Sequence, residues 1–230
     1  MGLALEVGVL ADLKENDSEG FDAFASYFAN VNTLLAKHGL PAHSEPIDVS
    51  VWGAEMYGYS GLHYLRRLAA FLDSGVELPG PGDQDSSADA RLEAYFSDVT
   101  GGSGGFLKSI FSKKPQFKRE FDHLIVHSDA EGFYLPVDFP DVLFSSDDRE
   151  VPGGMVGSAP RLLAECDRLA RVLGIPSEIT KDAEELWDAA DSQGEGESTW
   201  QQYGVESFTC VALREACVAS MKTGAAIVFT

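Results

Sequence analysis

The chain has 230 residues, 44% hydrophobic and 10% aromatic, too apolar for a disordered polymer and long enough to bury a sizeable core. It sets 37 Asp and Glu against 17 Lys and Arg, a net charge of −20. A field of that sign repels nucleic-acid phosphates and anionic lipid, which excludes both as partners for the bulk surface, and it steers basic proteins inward.

The N-terminal MGLALEVGVLADL lacks the positive start of a signal peptide and is interrupted by Glu6 and Asp12. LALEVGVL within it alternates and predicts a strand over about residues 3–10. DSEGFDAFASYFANVNTLLAKHGLP then places Phe21, Phe24, Phe28, Val31, Leu34 and Leu35 at helical spacing before Gly39 and Pro41 stop it. IDVSVW reads as a second short strand. YGYSGLHYLRRLAAFLD predicts a helix capped by Ser60, with Leu62, Leu65, Leu68, Ala69 and Leu72 on its apolar face. The loop LPGPGDQDSSAD follows, then a short helix through Leu92, Tyr95 and Phe96, then GGSGG at residues 101–105, which reads as a flexible point.

HLIVHSDAEGFYLPVDF predicts a hairpin: His123–His127 as one strand, SDAEG as the turn, Phe133–Asp138 as the return, with PDVLFSS adding an edge. SAPRLLAECDRLARVLGIP is the cleanest helix, capped by Ser158, with Leu162, Leu163, Cys166, Leu169, Ala170 and Leu173 in one stripe. DAEELWDAADSQGEGES predicts an acidic helix fading into a loop. A helix over about 205–221 and a terminal strand AAIVFT close the chain. The expected architecture is one α+β domain over residues 1–230. Its sheet, mainly antiparallel, draws on the N-terminal strand, the 123–145 region and the C-terminal strand, and about four to five helices cover it. Cys166, Cys210 and Cys217 show no CxxC spacing and sit in apolar helical patterns, as small buried hydrophobes do; a cytoplasmic location fits.

Motifs that carry chemistry are weak. Two histidines four apart suit a metal on a helix, but in a strand His123 and His127 stand about 13 Å apart and cannot share an ion. GGSGGFLKS lacks the glycine that a phosphate loop needs before Lys108. GYSGLHY has Leu62 where a nucleophile elbow wants its second glycine. Lys108, Lys113, Lys114, Lys118 and Arg119 interleave with aromatics, a pattern that suits packing against the acidic body or a local contact surface, with an anionic ligand as the alternative. No catalytic residue, cofactor or metal is assigned.

The segments MGLALEVGVLADLKENDSEG, HGLPAHSEP, YGYSGLHYLRRLAAFL and HLIVHSDAEGFYLPVDF together resemble a family of uncharacterised bacterial cytoplasmic proteins, over most of the chain. That family has no assigned activity, so the resemblance carries over no catalytic residue. In general cast the chain is also similar to immunity proteins of bacterial polymorphic toxin systems, which implies an acidic, non-enzymatic binder.

The expected function is therefore protein binding, with a basic-surfaced protein as partner, no nucleic acid, no membrane, and a structural homo-oligomer as a third reading. Toxin neutralisation is the concrete version. The expected contact residues are Trp52, Tyr57, Tyr59, His63 and Arg67, with Asp129 and Glu131 at a second rim. The alternative is a small-molecule enzyme or sensor that uses His63 or His127 beside a carboxylate as general base.

Overall fold

The structure, a computed structural model, describes residues 3–100, 116–128 and 130–229. The GGSGG run, Lys108, Lys113, Lys114 and Asp129 lie outside the described residues. The fold is α+β, with six strands and nine α-helices among the described residues. The chain divides into two compact units. One comprises residues 1–56, 127–164 and 213–230; the other comprises 57–126 and 165–212.

The first unit contains the whole sheet. Strand β1 (Ala4–Val7) stops early because Gly8 takes a left-handed φ of 94° and turns the chain directly into α1 (Val9–Asn16). Asp17 then accepts hydrogen bonds from the amides of Glu19 and Gly20 and starts α2 (Ser18–Lys37). β2 (Trp52–Glu55), β3 (Phe133–Leu135), β4 (Leu143–Phe144), β5 (Met155–Ser158) and β6 (Ile227–Phe229) complete the order β2-β1-β6-β3-β5-β4. Every pairing is antiparallel except β3 with β5. Phe133 and Val228, directly opposed in register, join Phe28, Val31 and Leu35 of α2 in one core. The expected second strand at IDVSVW is displaced towards Trp52–Glu55, and β5 replaces what reads in sequence as a simple cap: Ser158 ends that strand and its Oγ accepts from the Arg161 amide at 3.4 Å.

The second unit is helical. It holds α3 (Gly58–Asp73), a 3-10 turn at Ser86–Ala88, α4 (Ala90–Thr100), α5 (Asp122–Ile125), α7 (Glu184–Asp191) and α8 (Thr199–Gln202). The chain passes between units within α6 (Ala159–Leu173) and within α9 (Gly204–Thr223). Ser60 is not the cap of α3: the helix begins at Gly58 and no side chain caps it.

The expected strand through His123–His127 is a helical turn instead. Leu, Ile and Val favour strands, but three tertiary interactions decide the local backbone. Both Glu165 oxygens accept amides, His123 at 3.0 Å and Leu124 at 2.7 Å, so the carboxylate caps α5 from another helix. Arg66 donates its Nε to Leu124 O at 2.7 Å. Asp73, 1% exposed, accepts from the amides of Lys118, Arg119 and Glu120 and fixes the approach to the turn. The three cysteines are buried thiols outside any disulfide. No helix among the described residues is long and apolar enough to cross a membrane.

Candidate functional site

A dense run of exposed carboxylates lies on α7 and its flanks, in the second unit. Leu186, Ala189 and Ala190 bury one face of α7. At 100° per residue that leaves Glu184, Asp188 and Asp191 on the opposite face at i, i+4 and i+7, about 6 and 4.5 Å apart along the axis. Glu185 stands beside them, and Asp182, Glu195 and Glu197 extend the exposed acidic run, with Lys181 as its one basic residue. Glu184 and Glu185 sit in the first turn, where the helix dipole favours them. Asp191, at the unfavourable end, is instead satisfied by the Tyr57 hydroxyl, which donates to it at 2.7 Å. That hydrogen bond to a carboxylate raises the Tyr57 phenol above its ordinary value.

Trp187 stands on the edge of this stripe, 40% exposed, its ring 4.3 Å from that of Phe208. Tyr57 also packs on Phe208, ring centres 6.1 Å apart. The surface is held from below by a buried network. Glu206, 1% exposed, accepts from the Gly82 amide and from Gln193 Nε2, each at 2.7 Å, and Gln193 Oε1 accepts the Val205 amide at 2.9 Å. Burial pushes the Glu206 carboxyl up. At the start of α9, Gly204 lies against the Ala189 carbonyl of α7 so closely that no Cβ fits between them.

The sequence-derived contact residues are distributed differently. Tyr57 belongs to the α7 surface. Tyr59 is exposed and His63 half-buried on α3, and Trp52 is half-buried on β2 in the first unit. Arg67 is occupied: it pairs with Asp89 at 2.9 Å, donates to Gly80 O at 3.0 Å and lies over the Phe71 ring. Glu131 is exposed in the first unit, and Asp129 falls outside the described residues. His127 is 2% exposed, stacked on Tyr134 at 4.0 Å, and its two ring nitrogens each face a backbone carbonyl, Ser128 O and Phe133 O, at 3.1 Å. That is a packed core imidazole. Among the described residues no three His, Cys, Asp or Glu side chains are grouped to hold a metal ion. Sequence reasoning passed over Trp187 and the α7 carboxylates; the usable signal was a lone tryptophan inside a run of acids, a place where an aromatic has no solvation reason to be.

Residues 1–229 match a protein family described as "Putative DNA-mimic protein". The chain belongs to that family. No curated protein and no solved structure matches it. Membership of a DNA-mimic family corrects the expectation of no nucleic acid: the family's description makes nucleic acid the thing imitated, and a protein partner with a basic surface is consistent with it.

Proposed function

We propose that this protein binds the nucleic-acid site of a DNA-binding protein and thereby excludes DNA from it. The observation that carries this reading is the family match over residues 1–229 in a chain of net charge −20. The α7 face supplies a stereochemical basis. Four carboxylates, Glu184, Glu185, Asp188 and Asp191, fall within about 10.5 Å of helix axis, roughly one per 3.5 Å. B-DNA carries one phosphate per about 3.4 Å on each strand. A row of lysines and arginines set to meet phosphates therefore meets carboxylates at a comparable density, and Trp187 and Tyr57 add the aromatic anchors that concentrate binding energy at protein interfaces. Toxin neutralisation, the narrower role, is the case in which the DNA-binding protein is a nuclease.

The test is capture and competition. Immobilised protein is exposed to native cytoplasmic extract at low salt and washed with a saturating 24-base-pair duplex. The expected result is that retained proteins bind DNA on their own and leave the matrix when the duplex is added. Retention that persists against saturating duplex contradicts the reading.

A further inference from the structure

In the first unit an open cavity of about 850 Å³ lies beside the ends of β3 and β6. Its size is that of a small-molecule site. One wall is aromatic: Phe24 and Tyr27, one turn apart on α2, meet edge to face with ring centres 5.6 Å apart, and Phe229 adds a third ring. The Tyr27 hydroxyl has no hydrogen-bond partner among the described residues.

The rim decides the sign of the ligand. Glu131 and Asp148 both line the cavity, both are exposed, and neither forms an ion pair among the described residues. The cation at the rim, Arg149, is already committed. Its Nε and one terminal nitrogen bind the two oxygens of Asp147 at 3.1 and 2.9 Å, and the guanidinium holds the Asp147 carboxyl below its ordinary range. Two exposed carboxylates thus share the cavity lining with three aromatic rings and one cation, Arg149, whose charge Asp147 balances; carboxylates beside aromatic rings are the combination that selects an organic cation by charge pairing and cation–π attraction together.

The rim is also built rather than incidental. Gly132 has φ 119°, and a Cβ there would sit 2.7 Å from the His127 ring. Gly153 has φ 73°, and a Cβ there would sit 2.6 Å from Glu131 O. Two glycines therefore let the backbone that carries Glu131 close against the turn before β5.

We propose that this cavity is a binding site for a guanidinium or ammonium group on a short apolar stem. The site is independent of the DNA-mimic role and lies in the unit that does not contain α7. The same chemistry reaches it either as a free small molecule or as an arginine side chain of a polypeptide.

The test is titration of the isotopically labelled full-length protein, read at the amides of Gly132 and Gly153, with four probes: butylguanidinium, its neutral isostere butylurea, inorganic phosphate, and end-blocked Gly-Arg-Gly. Butylguanidinium is expected to shift both amides saturably and to bind at least about tenfold more tightly than butylurea. The E131Q/D148N double variant, changed only at exposed side chains, is expected to lose that preference, and Tyr27→Ala to weaken the cation about tenfold with the folded spectrum retained. Blocked Gly-Arg-Gly binding as well as butylguanidinium assigns the cation to a polypeptide; binding of butylguanidinium alone assigns it to a small molecule; either supports the site. Equal affinity for butylurea, saturation by phosphate at the same amides, or unchanged cation affinity in E131Q/D148N overturns it.

Discussion

Among single residues, Glu165 shows how one side chain sets the backbone of a distant segment. Its carboxylate replaces water at the amides of His123 and Leu124, and in doing so turns a sequence that favours a strand into a helical turn. Burial pushes its carboxyl well above the ordinary 4.5, more than the two amide hydrogen bonds pull it down, and Asp122 and Asp73 nearby add to the rise. A folded value above the unfolded one means that the native state holds the proton more tightly. The stabilisation from that proton is complete below about pH 4.5 and is lost as pH rises through the folded value. Unfolding free energy should therefore fall with rising pH above 4.5, with Glu165 contributing a slope of at most about 1.4 kcal/mol per pH unit. Glu165→Gln removes the titration, so urea unfolding at several values between pH 4.5 and 8 should give a flatter curve for the variant, the wild type losing stability relative to it as pH rises. A wild-type minus variant difference that stays constant over that range rules out the titration.

The elements differ in how far the sequence reveals them. The helices α2, α3, α6 and α9 repeat their apolar residues over four or more turns, and each was readable from spacing alone to within a few residues. Of the elements of two to four residues, β1, β3, β4 and β6 were readable as apolar runs, β4 as an edge, whereas β5 and α5 were not. Those two are too short for periodicity, and their conformations come from partners elsewhere in the chain: β5 from pairing with β3 and β4, α5 from Glu165 and Arg66. The same divide runs through the site. α7 was readable as an acidic helix, but that its acids share a face with Trp187 depends on Leu186, Ala189 and Ala190 turning inward, and that Tyr57 joins it depends on a bond to Asp191 134 residues away in sequence. Arg67 looked free for binding because the sequence does not show Asp89 beside it. Trp187→Ala should weaken the complex with the captured DNA-binding protein by about tenfold or more while reducing stability by about 1 kcal/mol, since the ring is already 40% exposed. Trp187→Phe should recover part of the binding by restoring a ring against Phe208. Equal affinity for Trp187→Ala and wild type places the contact away from α7.

For the molecule as a whole, the excess of carboxylates divides between the units. The sheet-containing unit carries 17 acidic and 6 basic residues by sequence, the helical unit 20 and 11. Net charge alone makes any basic partner bind more weakly in salt, so a falling affinity by itself does not separate imitation of DNA from general attraction. The distinction lies in where the salt dependence comes from. When DNA binds its protein, each phosphate contact contributes about −0.9 to the slope of log K against log salt. The carboxylates of α7 hold no condensed cation layer, so each contributes less to the slope than a phosphate does. Converting Glu184, Glu185, Asp188 and Asp191 to their amides should still flatten the slope between 50 and 300 mM salt, by less than about 0.9 per carboxylate. Converting four exposed acids of the first unit, Glu15, Asp17, Glu19 and Asp22, removes the same number of negative charges and serves as the comparison. A general electrostatic attraction responds alike to both sets, whereas a surface that replaces a phosphate row responds to the α7 set alone. Parallel slopes for the two variants would therefore remove α7 from the interface and leave net charge as its only role.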